Sequence, residues 1–517
     1  MRYINIALLL IIISNNANSQ EYKRNYTWPV GYEPVVKFHF NGQLFMDEVL
    51  NVNLPVAPGC AISNSCSSIS DTNGNLQLFS NGFIAYDSDG FGIQNGTYIN
   101  CPKGTILCNY YGGRSLFDQT SIILPKKNNQ YYIFSVGMSD SVATNYLNHV
   151  YTEFDILNYS VVDMDSNVDH GKVIEKNRIL ADYQHYINCT MTAVRHGNGK
   201  DWWLVKADCM NHRYQSYLVR EDTIEGPYYN NITDTANYCA FWSQIYFSED
   251  GTKLISSIYD NKINGLSYSF DFNRVDVYDF DRCSGIITFK NNYFVPLDST
   301  YYPNYDYKSG ICISPNGKLL YMSNIYTIYQ IDLEDTNKYN AQLITGPDTS
   351  ILYFPWYNTM ACAPDGRLYI GNFGGTRSFM SYIDSPNVKG LGCHFVPQGL
   401  WQSFNINLKS PPNMPNYGLG WNGLCSPLSN AEVERSKQEI IIYPNPANNN
   451  LSIVLPTGSK KAEVEVYDML GQLLLKRSIS LIQNDKIVLS VKQLASALYS
   501  IKINVDGKQF VSKFVKE

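Results

Sequence analysis

The chain has few groups that do chemistry near neutral pH. Its 517 residues include seven histidines, His39, His149, His170, His185, His196, His212 and His394, dispersed without local metal or triad spacing. No H-E-x-x-H, G-x-S-x-G or P-loop string occurs, which removes the compact signatures of zinc hydrolases, α/β-hydrolases and P-loop enzymes. The twelve cysteines form no C-x-x-C pair, so zinc-knuckle spacing is missing as well. Charged residues make up only 17% of the chain, the formal charge is −6, and no basic cluster stands out, which argues against nucleic acid as a partner. No segment beyond the N-terminus offers about 18 consecutive apolar residues, so the mature chain is expected to lack a transmembrane span. On these grounds no catalytic residue, cofactor site or metal site is assigned.

What is present points to sheets and export. Aromatic residues reach 14%, with 41 tyrosines, and hydrophobic residues 44%, a composition suited to pleated, half-buried surfaces and an all-β fold. The opening MRYINIALLLIIISNNANSQ places Arg2 before an apolar run from Ile4 to Ile13 and small residues at Ala17 and Ser19, the pattern of a signal peptide cleaved after about residue 19. An exported chain with an even number of cysteines permits disulfides. Cys60 with Cys66 and Cys101 with Cys108 are close enough for local loops, and Cys189 and Cys209 flank a predicted hairpin, although spacing alone does not settle pairing.

Turn signals recur within alternating apolar stretches: FHFNGQLFM, ISDTNGNLQLF, LPKKNNQYYIF, VRHGNGKDWWLV, FSEDGTKLIS, ISPNGKLLYMS and APDGRLYIG. Asn-Gly and Asp-Gly supply the positive φ of tight turns, and period-two Leu, Ile, Tyr and Phe supply a buried face, so each reads as a hairpin. Gly74, Asn129, Gly199, Gly251, Gly317 and Gly366 mark six of them at loose intervals, and Asn41-Gly42 offers a seventh. Four-stranded blades with variable loops account for the spacing better than a parallel β-helix, and predict a β-propeller of seven blades, or alternatively six, over residues 20–425. The repeats resemble those of tryptophan-aspartate-type and related secreted propellers, and their order is similar to propeller proteins of Bacteroidetes. That resemblance says little about activity.

After Cys425 the polar stretch 426–437 reads as a linker. From residue 438 strict alternation returns and predicts a small Ig-like antiparallel β-sandwich of about seven strands to the C-terminus. This segment holds IIIYPNPANNNLSIVLP, VEVYDMLGQLLL and LASALYSIKINVDGKQFVSKFVKE in order, strings that resemble the type A sorting domain of the type IX secretion system. The resemblance implies an opening motif at Tyr443, Pro444, Asn445 and Pro446, a central turn at Gly471, and a closing hairpin carrying Tyr499, Gly507 and Lys513. Ala497 departs from it, standing where the family has glycine, which puts the local turn geometry in question. The resemblance further implies passage through the periplasm, recognition by the type IX machinery, and a secreted or outer-surface location.

Other patterns read as structure. Asp163, Asp165, Asn167 and Asp169 alternate as calcium ligands would, but Val168 stands where a calcium loop needs glycine and a polar turn explains them. Gly418, Gly420 and Gly423 have dinucleotide-fingerprint spacing without a strand before or a helix after, and so form a loop. Trp202, Trp203, Trp242, Trp356 and Trp401 suit blade interfaces better than sugar stacking. The sequence therefore predicts an exported binding or structural propeller with a surface glycan or protein ligand. The alternative is a carbohydrate-active hydrolase or lyase whose carboxylates converge at the channel mouth.

Overall fold

A computed structural model describes residues 22–31, 35–40, 44–50, 66–101, 118–147, 154–166, 170–186, 190–208, 213–231, 244–258, 272–296, 310–346, 356–372, 378–401, 408, 410–421, 425, 441–443, 446–455, 461–468, 472–480, 486–505 and 508–517. The proposed signal peptide lies outside them. The chain divides into two compact units, residues 1–429 and 430–517.

Among the described residues the first unit is built from seven consecutive groups of antiparallel strands, each called a blade. Blade 1 (27–50) has three described strands. Blades 2 (67–97), 3 (121–186), 4 (191–231), 5 (245–296), 6 (310–345) and 7 (357–401) have four each, hydrogen-bonded in chain order. Blades 2 and 3 also touch at their outer edges through one parallel pairing, Lys172 with Gln94, so that they form one continuous sheet. A helix, Asp140–Leu147, interrupts blade 3 between its second and third strands.

The core does not lie at one centre but in wedges between neighbouring blades. Val194, Trp203, Leu254 and Tyr278 pack blade 4 on blade 5. Ile255, Val277, Ile311 and Leu320 join blades 5 and 6, and Leu319, Tyr321, Met360 and Leu368 join 6 and 7. Trp28, Phe38 and Phe40 of blade 1 pack with Tyr369 and Met380 of blade 7, while Val35 of blade 1 enters the cluster that holds blades 2, 3 and 4. Thr27 of blade 1 also donates its hydroxyl to the Gly74 carbonyl of blade 2 at 2.6 Å. The circuit is thus closed, and the unit is a seven-bladed β-propeller, an arrangement that buries both faces of every blade. The innermost strands are buried at nearly every position, as in Ser67–Ser70, Met191–Arg195 and Gly310–Ile313.

The six turn markers read from the sequence all join the first and second strands of a blade, and all have positive φ: Gly74 99°, Asn129 52°, Gly199 72°, Gly251 69°, Gly317 72° and Gly366 82°. Asn41-Gly42 lies outside the described residues, but Val35–Phe40 and Leu44–Leu50 on either side of it pair antiparallel, which makes the expected seventh hairpin, here between the second and third described strands of blade 1.

Among the described residues the second unit is a sandwich of a three-stranded and a four-stranded antiparallel sheet, in line with the predicted count of about seven strands. Its core is the alternating set Leu451, Ile453, Val464, Val466, Tyr499, Ile501 and Ile503, whose intervening polar residues face outward.

Candidate functional site

In a propeller the innermost strands surround an axial channel, the place where residues from many blades can converge on a ligand. Here the channel is occupied by the chain itself. Residues 408–421, which follow the last blade, run between the innermost strands and are termed the strap.

Its course can be followed by its contacts. Leu408 is buried in the wedge between blades 7 and 1, and the Asn358 amide lies 3.5 Å from the Ser410 hydroxyl. At Asn413 the strap is bonded to blades 2, 3 and 4. The backbone N–H donates to the Cys66 carbonyl of blade 2 at 2.7 Å, and the side-chain amide donates to the Ser121 carbonyl of blade 3 at 2.9 Å and the Met191 carbonyl of blade 4 at 3.0 Å. Its Oδ1 accepts from Gln119 at 3.3 Å, so each of these polar groups is satisfied. The Tyr417 hydroxyl lies 2.7 Å from the Ile123 carbonyl and 3.2 Å from that of Ser68, and its fully buried ring meets Trp202 edge-on at 5.6 Å. Asn416 donates to the backbone and carboxylate oxygens of Glu249 at 2.9 and 2.8 Å. Arg282 donates to the Gly420 carbonyl at 2.6 Å. A disulfide between Cys283 and Cys425, Cα atoms 5.6 Å apart, then fixes the end of this segment to the turn between the last two strands of blade 5.

Inner-strand amides reinforce the same region. Gln119 exchanges a pair of hydrogen bonds with the Ile245 backbone, and Gln244 does so with Met360 while also accepting from the Ile311 N–H. These side chains imitate peptide groups and link blades 3, 5, 6 and 7. A small cavity remains between strap and strands, lined by Gln119, Gln244, Tyr246, Thr359, Pro412 and Met414. Two fixed glutamine amides with their donors and acceptors already engaged do not make a general acid–base pair.

Among the ionisable groups that touch the strap are Glu249, through Asn416, and Arg282, through Gly420. For Glu249 the environment is unfavourable to charge. Burial first and the neighbouring Asp250 second push its carboxyl up to about 7. Arg282 is pulled down to about 10 by burial and by Arg195. Among the described residues no group of three or more His, Cys, Asp or Glu is placed to hold a metal ion.

The other sequence candidates fall into structural roles where they are described. Asp163 accepts from the Asp165 N–H and the Gln130 amide, and Asp165 accepts from Asn129, which makes them parts of a polar turn; Asn167 and Asp169 lie outside the described residues. Gly418 and Gly420 belong to the strap, and Gly423 lies outside the described residues. Trp202 and Trp203 are buried, and Trp203 donates its indole N–H to the Arg282 carbonyl, but Trp356 is 36% exposed and so departs from the blade-interface expectation, and Trp242 lies outside the described residues. Trp421, not singled out in the sequence, is 64% exposed at the end of the strap. The cysteine reading needs correction: Cys66 is a free, buried thiol, which excludes a Cys60–Cys66 bridge. Cys101 is disulfide-bonded, whereas Cys108, Cys189 and Cys209 lie outside the described residues.

In the sandwich, Tyr443 ends the strand Ile441–Tyr443 and pairs with Ser452. Pro446 is exposed and directly precedes Ala447, whose N–H donates to the Val515 carbonyl at 2.7 Å and whose carbonyl accepts from the Glu517 N–H at 3.0 Å. The end of the opening motif is therefore fastened to the last residues of the chain. Tyr499 is buried, stacks on Phe514 at 5.6 Å and donates to the Ala495 carbonyl at 2.8 Å, whereas Lys513 is exposed opposite Ser500. Ala497 begins the strand Ala497–Val505 opposite Lys516, an extended conformation that accepts a Cβ. Pro444, Asn445, Gly471 and Gly507 lie outside the described residues.

No curated protein matches the chain in sequence. Among solved structures it is similar to a protein from Lactobacillus plantarum, at 11% identity and TM-score 0.41 over 75% of this chain and 97% of that one. It is also similar to a quinonprotein alcohol dehydrogenase-like protein from Bacteroides thetaiotaomicron, at 10% identity and TM-score 0.32 over 75% and 78%. Likenesses this distant carry no information on activity. Residues 441–517, by contrast, match a family described as the secretion system C-terminal sorting domain. The chain is accordingly a β-propeller that ends in a sorting domain of the type IX secretion system.

Proposed function

We propose that the exported body is a binding or structural protein of the cell surface, which engages a surface polymer or protein partner without turning it over. The observation that supports this most is the strap. Residues 408–421 fill the axis along which a propeller hydrolase would bring its carboxylates together, and they are held there by main-chain carbonyls of three blades and a disulfide. A ligand then meets the faces of the ring, where Trp421 offers an exposed aromatic surface on a rigidly held segment. On this reading the sorting residues act as a unit with the C-terminal strand, residues 1–19 are removed on export, and residues 426–437 tether the two folded parts.

The purified protein, incubated with a panel of surface glycans and peptides, should retain a ligand without releasing product. Trp421→Ala should weaken that retention about tenfold, the size expected for loss of one aromatic stacking contact. Product release abolished by replacing a single acidic residue would overturn the non-catalytic reading.

A further inference from the structure

Cys312 and Cys362 come from different blades and yet meet. Cys312 lies in the innermost strand of blade 6, Gly310–Ile313, and Cys362 ends the innermost strand of blade 7, Tyr357–Cys362. Their sulfur atoms are 3.3 Å apart, and both thiols also approach the Ile313 carbonyl, Cys362 at 3.2 Å and Cys312 at 3.6 Å. Cys312 is fully buried, whereas Cys362 is partly exposed beside Tyr246, whose hydroxyl accepts from the Cys362 N–H at 3.4 Å and whose ring lines the axial cavity. The chain meets an oxidising environment, since Cys283 and Cys425 are bonded and Cys101 is bonded as well.

From this contact we infer that Cys312 and Cys362 are an oxidation site, at which the exported protein acquires a disulfide clamping blade 6 to blade 7. The oxidant is a disulfide-bearing thiol oxidant of the compartment in which Cys283–Cys425 forms. As the blades dock, the Cys362 thiolate attacks the oxidant's disulfide, and one oxidant sulfur leaves as a thiolate. The Cys312 thiolate then attacks Cys362 Sγ in the mixed disulfide and expels the second oxidant sulfur. Two cysteine thiols lose two protons and two electrons, and one oxidant disulfide becomes two thiols. A hydrogen bond with Cys312 and then burial hold the Cys362 thiol well above its ordinary range in the packed body, so the exchange belongs to the stage when the two blades are docking and both sulfurs still meet water. The other free thiols behave differently. Cys66 faces the Pro29 carbonyl at 3.5 Å, and Cys393 is buried in the wedge between blades 6 and 7. They remain reduced.

The test is peptide mapping of the full chain recovered from an oxidising compartment, denatured without reductant in an excess of alkylating reagent, in samples that retain the Cys283–Cys425 link. The expected result is a single linked species joining the Cys312 and Cys362 peptides, about 2 Da lighter than the sum of the reduced pair, with Cys66 and Cys393 alkylated. Alkylation of both Cys312 and Cys362 in those samples would overturn the inference, and so would a link from either of them to Cys66 or Cys393. The wild-type chain serves throughout, so no folding defect of a variant can imitate either result.

Discussion

Asn413 ties the strap to several blades at once. Its amide donates to carbonyls of blades 3 and 4, and its Oδ1 accepts a hydrogen bond from the Gln119 amide. Asn413→Ala would strand these buried partners, at a cost of about 2–4 kcal/mol in chemical denaturation. Asn413→Asp should be at least as harmful despite its near-identical shape, because a carboxylate would face two carbonyl oxygens. Glu249 gives a separate handle. Its folded-state pKa of about 7 is raised above the ordinary 4.5, so between these values the unfolded chain has released a proton that the folded one keeps. Stability should therefore fall as pH rises from about 4.5 to about 7 and level off above. Glu249→Gln, which retains an acceptor for Asn416, should flatten that slope and raise the unfolding midpoint at pH 8 but not at pH 5. Equal midpoints for wild type and variant at both pH values would contradict the assignment.

At the scale of elements, the blades were legible and the strap was not. The six markers from Gly74 to Gly366 announce themselves because a positive φ is a local demand that glycine or asparagine meets cheaply. Asn41-Gly42 itself lies outside the described residues, but the strands on either side of it, Val35–Phe40 and Leu44–Leu50, pair antiparallel as the predicted seventh hairpin. The strap shows no period-two pattern, and its partners are carbonyls of strands some 220 to 350 residues earlier, which no window reveals. One signal was available: residues 410–425 contain no charged residue, which is unusual for a connection exposed to water. Cys283–Cys425, whose ends are 142 positions apart in sequence, was likewise beyond reach of spacing. In the chain-entropy view such a loop contributes on the order of 4–5 kcal/mol. The pair of changes Cys283→Ser and Cys425→Ser should lower the thermal midpoint and speed amide exchange over residues 410–421, while leaving exchange in the inner strands of blades 6 and 7 near wild type. Unchanged exchange in the strap would mean that its hydrogen bonds alone hold it.

For the whole molecule, the division of labour between the two units makes a prediction about routing. The propeller closes on itself without the second unit: its wedges run from blade 1 round to blade 7 and back, and its last described residue, Cys425, is bonded within it. The sandwich has its own core, and its final strand is anchored to the opening motif through Ala447. A chain ending at Lys437 should therefore fold, keep its Cys283–Cys425 bond and stay in the periplasm, because it has lost the address but not the architecture. Removing only the last few residues, 513–517, is the more telling change. It deletes the partners of Ala447 and the aromatic partner of Tyr499 while leaving Tyr443 through Pro446 in the sequence. If the address is read from the folded unit, this short deletion should block export as fully as loss of the whole sandwich, and residues 438–517 fused to a signal-bearing reporter should export that reporter in a host with the type IX machinery. Fractionation with antibodies against the body settles the matter. Normal surface display of either truncated chain would show that the sorting information lies elsewhere.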